Sequence, residues 1–230
     1  MPIAKTLNQN FFKEWNPTMA YVLGFFAADG SMLTNNRGAH FIEFTIVDKV
    51  VLIGIRKAVG SNHTIAVRNR GDEKWKTQYR LQIGSHEWFA DLARLGFTQN
   101  KSNTMKLPHI PQACFAHFVR GYFDGDGCVY FKQHAIKGRK KKKWIFKSLF
   151  TSGSEDFLVS LHKILHRHGL TKGFILQKHN KRGYELVFSH RDSLALYGLM
   201  YHTALTTGLY LPRKYRLFTK AIKTLYQMRA

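Results

Sequence analysis

Two segments of the sequence read almost alike: Tyr21-Val-Leu-Gly-Phe-Phe-Ala-Ala-Asp-Gly30 and Phe118-Val-Arg-Gly-Tyr-Phe-Asp-Gly-Asp-Gly127. They begin nearly half a chain length apart in a chain of 230 residues. Both are apolar, both carry a glycine in the middle, and both end in Asp-Gly. The similarity indicates an internal duplication, in which two related helices contact each other and bring a pair of carboxylates together.

The sequence after each segment repeats as well. A predicted β-hairpin follows each segment, and then come an amphipathic helix, a second hairpin and another helix. The amphipathic helices are predicted at 49–59 and 155–168, and a glycine follows each, as it often does at helix C-termini. The second hairpins are predicted at 64–70 with 78–84 and at 174–180 with 184–189, and the next helices around 87–95 and 191–201.

The unit αββαββα is therefore predicted twice. The predicted fold class is α+β, with two pseudo-symmetric αββαββα subdomains that are joined by their packed motif helices and whose antiparallel sheets form a saddle. We place the two halves at residues 1–100 and 113–230. A linker is predicted at 101–112, because the stretch 98–111 is polar and contains Pro108 and Pro111.

Small residues recur at helical spacing in both segments. Ala20, Gly24 and Ala28 lie four apart in the first, and Gly121 and Gly125 in the second. A glycine inside a helix costs about 1 kcal/mol relative to alanine, but it allows another backbone to approach closely. The alternative, that each helix packs alone on its own sheet, leaves the repeated pattern unexplained. We predict that the two motif helices pack against each other.

The charge of the chain indicates a polyanionic partner. There are 36 Lys and Arg residues against 14 Asp and Glu, which gives a net charge of +22 and an isoelectric point near 10.2. A long polyanion such as nucleic acid matches that much positive charge. A ribosomal or histone-like protein is the alternative, but a hydrophobic content of 44% indicates a folded globular core.

Asp29 and Asp126 occupy equivalent places at the end of the two predicted motif helices. Gly30 and Gly127 are predicted to adopt the left-handed conformation that ends many helices. An aspartate at a helix C-terminus is unfavourably placed, and two carboxylates at one site require a neutralising cation. Oxygen ligands with open positions suit Mg²⁺, which can activate water beside a phosphate. The alternative is that each Asp-Gly pair is an ordinary turn.

The matched pair of motifs resembles the LAGLIDADG homing endonucleases, in the form in which one chain carries both motifs. The resemblance implies a site-specific DNA endonuclease that makes a metal-dependent, staggered double-strand break with 3′ overhangs in a long target site. It implies that Asp29 and Asp126 are catalytic and bind the metal. Whether a backbone oxygen at Ala28 is a further metal ligand is left open. The earlier acid of the family name is Ala27 in the first motif, a departure, and Asp124 in the second.

The resemblance also implies basic and polar residues near the carboxylates. Lys101 corresponds to an active-site lysine of the family, and Lys214 is its counterpart by position in the repeat, with Arg213 as a rival. A cation there would stabilise developing negative charge. A polar strand residue is expected to assist in each half, and four candidates remain open: Thr45 or Asp48, and Thr151 or Glu155.

The polar faces of the predicted sheets are candidates for reading DNA. Alternate strand residues face opposite sides, so Arg80 shares a face with Gln78 and Gln82, and Arg68 shares one with Arg70. Arginine suits guanine and glutamine suits adenine. Weaker candidates are Asn35, Glu43, Tyr130, Lys132, His134, Lys147, Gln177, His179 and Glu185. The basic run 137–143 is expected to contact phosphate or to act as a nuclear localisation signal.

The implied partner is double-stranded DNA, bound by a monomer. The implied cofactor is Mg²⁺ or another divalent cation such as Mn²⁺, whereas Ca²⁺ is expected to bind without supporting cleavage. No nucleotide cofactor is expected, because the sequence lacks a Walker lysine loop. Three histidines, His162, His166 and His168, permit a metal pair on one helix face, but zinc is not expected without paired cysteines or an H-E-x-x-H motif.

The sequence predicts an intracellular, reducing compartment, either the bacterial or phage cytoplasm or an organelle. Cys114 and Cys128 are not in C-x-x-C spacing and are expected to be reduced. The N-terminus lacks the apolar stretch of a signal peptide, and no membrane span is expected. Two alternative functions remain: a group I intron RNA maturase, and a non-catalytic sequence-specific DNA-binding protein of the same fold.

Overall fold

The computed structural model describes residues 5–68, 76–135, 138, 142–179, 181–202 and 208–226. Arg70 and residues 137 and 139–141 of the basic run, for which the sequence predicts contacts with DNA, lie outside these ranges. The first copy of the unit comprises α1 (Pro17–Asp29), β1 (Gly30–Thr34), β2 (His40–Ile46), α2 (Lys49–Ala58), β3 (Ile65–Arg68), β4 (Gln78–Gly84) and α3 (His86–Arg94). The second comprises α4 (Gln112–Asp126), β5 (Gly127–His134), β6 (Lys143–Ser152), α5 (Glu155–Arg167), β7 (Phe174–Gln177), β8 (Tyr184–Phe188) and α6 (His190–Tyr201).

The predicted fold class is confirmed, since the order αββαββα occurs twice. Each copy contributes a four-stranded antiparallel sheet, with strand order β1-β2-β4-β3 in the first and β5-β6-β8-β7 in the second. The two copies continue into different segments. A 3₁₀ turn at Lys101–Asn103 comes after the first copy, within the predicted linker, and a long helix, α7 (Pro212–Tyr226), comes after the second.

One face of each sheet packs against helices, because the strands alternate between apolar and polar side chains. In the first sheet Phe44, Leu81 and Ile83 are fully buried, and in the second Phe150 and Phe188 are. The opposite face of each sheet is open and carries most of the polar strand residues. Within the described ranges, no helix is long and apolar enough to cross a bilayer.

The two motif helices, α1 and α4, pack with their backbones in direct contact, as predicted. A Cβ atom added to Gly24 would overlap the carbonyl oxygen of Phe118, and one added to Gly121 would overlap the carbonyl oxygen of Tyr21. A Cβ atom on Gly125 would overlap the side chain of Ala28. Only glycine permits this approach, so the three positions fix how the two halves meet.

The conformation predicted for Gly30 and Gly127 is wrong. Their φ angles are −98° and −95°, which is extended backbone, because β1 and β5 begin directly at these residues. Both positions instead require glycine because there is no room for a Cβ atom. A Cβ atom at Gly30 would overlap the ring of Phe26, and one at Gly127 would overlap the ring of Phe123. Each helix therefore passes into a strand without a turn, which places the aspartate at the junction.

Replacing Gly24 with alanine is expected to destabilise the protein by about 3 kcal/mol or more, because the new methyl group forces two packed backbones apart. Denaturation by urea measures the effect. Gly198→Ala is the matched control, since Gly198 lies in α6 with no atom within 4 Å of an added Cβ, and it should gain up to about 1 kcal/mol. Equal stability of wild type and Gly24→Ala would contradict the close packing.

Candidate active site

The two predicted aspartates meet where the motif helices end. Asp29 is the last residue of α1 and Asp126 is the last residue of α4. A Cβ atom built on Gly125 would lie 3.3 Å from Oδ2 of Asp29, so this carboxylate rests against the residue that precedes Asp126. The close contact of the helix backbones thus brings both carboxylates to one site, between the two sheets.

The carboxylates resist ionisation in this position. Burial first, and then the negative charge of Asp126, raise the pKa of Asp29 to about 7. Burial raises the pKa of Asp126 to about 6, although the nearby charges of Lys214 and Lys101 oppose the increase. A pair of oxygen ligands whose charges are costly to hold together is suited to a hard divalent cation such as Mg²⁺.

Two buried lysines accompany the carboxylates. Lys101 enters from the 3₁₀ turn, and its Nζ donates a hydrogen bond to the carbonyl oxygen of Gly30 at 2.7 Å. Lys214 enters from α7, and its Nζ donates to the carbonyl oxygens of Phe123 at 2.6 Å and Asp124 at 2.8 Å. Burial lowers the pKa of each lysine to about 8. The structure therefore brings all four of these predicted residues together.

Arg213, the rival of Lys214, lies elsewhere. Its Nε donates to Oδ2 of Asp48 at 2.8 Å, and its side chain is 52% exposed. This ion pair joins α7 to the start of α2 across the two copies of the unit. Of the two neighbouring cations, only Lys214 is buried beside the motif helices.

The four polar residues that could assist the active site also fall into two groups. Thr45 and Thr151 occupy equivalent positions on the open faces, next to Arg80 on one sheet and Glu185 on the other. Asp48 is held by Arg213, and Glu155 is exposed in the first turn of α5. The two threonines are therefore better placed than the two acids to face a bound molecule.

The sequence reasoning missed the structural roles of two buried residues of the second motif. Oδ2 of Asp124 accepts hydrogen bonds from the hydroxyl of Tyr21 and from the backbone N–H of Leu211, both at 2.8 Å. Leu211 immediately precedes α7, so Asp124 fixes the start of the helix that carries Lys214. Arg120 is fully buried and donates to the carbonyl oxygens of Met200 and Leu209. The difference between Ala27 and Asp124 in the two motifs was the available signal.

Three predicted DNA-contacting residues form a connected group on the first sheet. Oε1 of Glu43 accepts from Nε2 of Gln82 at 2.6 Å and from Nη1 of Arg80 at 3.2 Å. Arg68 pairs in register with Gln78 on the same open face. Glu43 is itself 7% exposed, so it holds the ends of Arg80 and Gln82 in fixed positions.

The predicted DNA-contacting residues of the second sheet do not all lie on its open face. Tyr130, Lys132, His134 and Lys147 share the open face, and Glu185 lies there too, 3.9 Å from the ammonium group of Lys178. Gln177 instead pairs in register with Tyr184, on the face opposite to Glu185.

Two further candidates lie in turns. His179 is exposed in the turn after β7. Asn35 closes the turn between β1 and β2, because its Oδ1 accepts from the backbone N–H groups of Arg37 and Ala39, each at 2.9 Å.

The oxygen ligands at the centre are two carboxylates and not a complete metal cage. Throughout the described part of the chain, no group of three or more His, Cys, Asp or Glu side chains is arranged to hold a metal ion. Mg²⁺ usually keeps several waters and takes one or two carboxylates together with phosphate oxygens. Asp29 and Asp126 fit that pattern of ligands.

A comparison with protein families identifies the first copy of the unit. Residues 16–95 match the family model described as a LAGLIDADG-like domain. The match begins at the N-cap of α1 and ends just after α3, so it covers one complete αββαββα unit and confirms the resemblance seen in the motifs. No curated protein matches the chain.

Solved structures extend the LAGLIDADG fold over both copies. I-SmaMI bound to cleaved DNA matches 94% of this chain and 90% of its own, at 14% identity and a TM-score of 0.59. I-SmaMI bound to an uncleaved DNA target in the presence of calcium ions matches 94% of each chain, at 14% identity and a TM-score of 0.60. I-LtrWI bound to target DNA matches 95% of this chain and 92% of its own, at 12% identity and a TM-score of 0.53. The chain has the fold of the LAGLIDADG homing endonucleases.

The stability of the metal-free protein should depend on pH through Asp29. Its folded-state pKa, about 7, exceeds the usual value of 3.8, so the folded state binds this proton more tightly than the unfolded state. The resulting stabilisation is complete below about pH 4 and is lost as the pH rises through about 7, at no more than about 1.4 kcal/mol per pH unit. Unfolding by urea in EDTA, at about pH 5 and about pH 8, measures it.

The variant Asp29→Asn should lose this pH dependence and be more stable than wild type near pH 8. Excess Mg²⁺ should then stabilise wild type and leave the variant unchanged, because only the intact pair binds the ion well. Asp156→Asn, on the exposed side of α5, is the control and should behave as wild type. An identical pH profile for wild type and Asp29→Asn would contradict the raised pKa assigned to Asp29.

Proposed function

We propose that the chain is a monomeric, site-specific DNA endonuclease that uses a divalent cation, Mg²⁺ or Mn²⁺, to make a staggered double-strand break with 3′ overhangs. The observation that carries the proposal is the pair Asp29 and Asp126, held side by side between two open sheet faces. The fold of DNA-bound relatives and the net charge of +22 support DNA as the partner. The proposed halves are residues 1–100 and 113–230, with 101–112 between them.

The side chains at the centre have complementary roles in phosphodiester hydrolysis. Asp29 and Asp126 would hold the metal, which supplies a water of lowered pKa and charge stabilisation for the leaving oxygen. Lys101 and Lys214 lie beside the carboxylates, where a positive charge stabilises the negative charge that develops on the phosphate. Because both lysines are anchored on main-chain carbonyl groups, each is held ready before DNA binds.

The closeness of the two carboxylates determines the form of the cut. One site must serve one phosphate on each strand, so these phosphates must themselves be close. Facing phosphates approach most closely across the minor groove, which is about 6 Å wide. The strands wind around each other, and such phosphates are offset toward the 3′ side of each strand. The expected product therefore has short 3′ extensions, while the sheets contact the major groove on either side.

Asp29→Asn and Asp126→Asn should each abolish double-strand cleavage and leave DNA binding largely intact, because they remove a metal ligand and no sheet residue. Cleavage of a randomised DNA library with Mg²⁺, followed by sequencing of the cut ends, measures activity and the form of the ends together. Asp156→Asn should cut as wild type does. Full activity of an active-site variant, or activity in excess EDTA, would refute the metal mechanism. Blunt ends or 5′ extensions would refute the placement of Asp29 and Asp126 at one shared site.

Arg80→Ala should relax base preference in one half of the site, at a cost of about 1–3 kcal/mol if the contact to guanine is bidentate. Sequencing of DNA selected from a random pool by the Asp29→Asn protein, with and without Arg80→Ala, measures the preference. Arg94→Ala is the matched control, because Arg94 pairs with Asp91 on α3, outside the open face. An equal loss of affinity for all sequences would reassign Arg80 to phosphate binding.

A further inference from the structure

The open faces of the two sheets differ at equivalent positions next to the carboxylates. On the first sheet, Ser31, Glu43 and Gln82 pair in register across β1, β2 and β4. The equivalent row on the second sheet consists of Cys128, Leu149, Val187 and Phe174, which pair across β5, β6, β8 and β7. Both rows start two residues after the motif aspartate. One row is polar and the other is apolar.

The hydrophobic core does not require the apolar row. The core face of the same strands already carries Phe150, Leu186 and Phe188, all fully buried. On the open face, Phe174 is 56% exposed, and Leu176, the next residue of β7 on that face, is 36% exposed. Large apolar side chains grouped on an open surface usually mark a binding site.

The surroundings of the row favour an anionic partner. Lys132 and Lys147 share its face, and Lys178 lies beside Glu185 at the end of β7 and β8. A depression of about 310 Å³ opens there, lined by Leu176, Lys178, His179 and Glu185. Because the row begins two residues from Asp126 and crosses the whole sheet, a long partner that follows it also reaches the carboxylate pair.

We propose that the apolar row, through the accessible side chains of Leu149 and Phe174, recognises thymine in one half of the DNA target through the C5-methyl group. The inference rests on the proposed function. In the major groove thymine alone presents a methyl group, and apolar side chains read it by contact. The first sheet, with Arg80 and Gln82 held by Glu43, reads the other half by hydrogen bonds. The two halves of the target are thus read by different chemistry.

Replacement of thymine by deoxyuridine tests the proposal, because it removes only the methyl group. The Asp29→Asn protein first selects its target from a random pool, and Arg80→Ala then shows which half the first sheet reads. In the other half, each contacted thymine replaced by deoxyuridine should weaken binding about fourfold, the effect of burying one methyl group. In the half read by the first sheet, the same replacement should change binding by less than about twofold.

Two variants test whether the apolar row causes the response to deoxyuridine. Phe174→Ala should remove the response to deoxyuridine at one position. The variant is expected to fold, because the side chain of Phe174 is 56% exposed. Val67→Ala is the matched control, since Val67 is 59% exposed on the equivalent edge strand but pairs with Tyr79 on the opposite face. It should leave every response unchanged.

Three outcomes would overturn the inference while DNA binding persists. These are a selected half-site without thymine, equal responses to deoxyuridine in both halves, and a Phe174→Ala protein that responds as its parent does. Failure to bind any DNA would instead overturn the proposed function, and the inference with it.

Discussion

The contact between the backbones of α1 and α4 is the constraint on which the rest of the structure depends. Gly24 and Gly121 each leave room for a carbonyl oxygen of the facing helix, so neither helix can move away or rotate without losing the fit. The position of each sheet follows, because β1 and β5 continue directly from the helices. The same contact places Asp29 and Asp126 together at the helix ends, where the helix dipoles disfavour negative charge. The geometry that joins the halves is therefore also the geometry that strains the site.

The strain is balanced by groups that arrive from outside the motif helices. Lys101 comes from the segment between the two copies, and Lys214 from the helix after the second copy. Each lysine satisfies carbonyl oxygens that a helix end or a helix-to-strand junction leaves without partners. Asp124 adds a second constraint by binding the N–H of Leu211. The site is assembled from segments far apart in sequence, so its integrity reports on the folding of the whole chain.

Much of the fold could be predicted because the chain repeats itself. Two copies of one pattern predicted the helix pairing, both sheets and both aspartates, because Gly24 and Gly121 occupy matched positions in the two segments. The conformation of Gly30 was misjudged, because a sequence does not distinguish a glycine needed for a left-handed turn from one needed for space. The roles of Asp124 and Arg120 were missed because the partners that define them lie 80 to 103 residues away. Gln177 shows a related limit, since its face depends on the register of a four-residue strand.

The single chain has a consequence for the symmetry of the sequences it can recognise. A dimer of identical subunits presents the same side chains twice and is confined to palindromic sequences. Here the backbone keeps that twofold relation, but Glu43 is matched by Leu149 and Gln82 by Val187. Duplication within one chain has let the two surfaces diverge while the helix interface between them stayed fixed. Under the proposed function, the protein is adapted to an asymmetric sequence and would discriminate between the two orientations of its site.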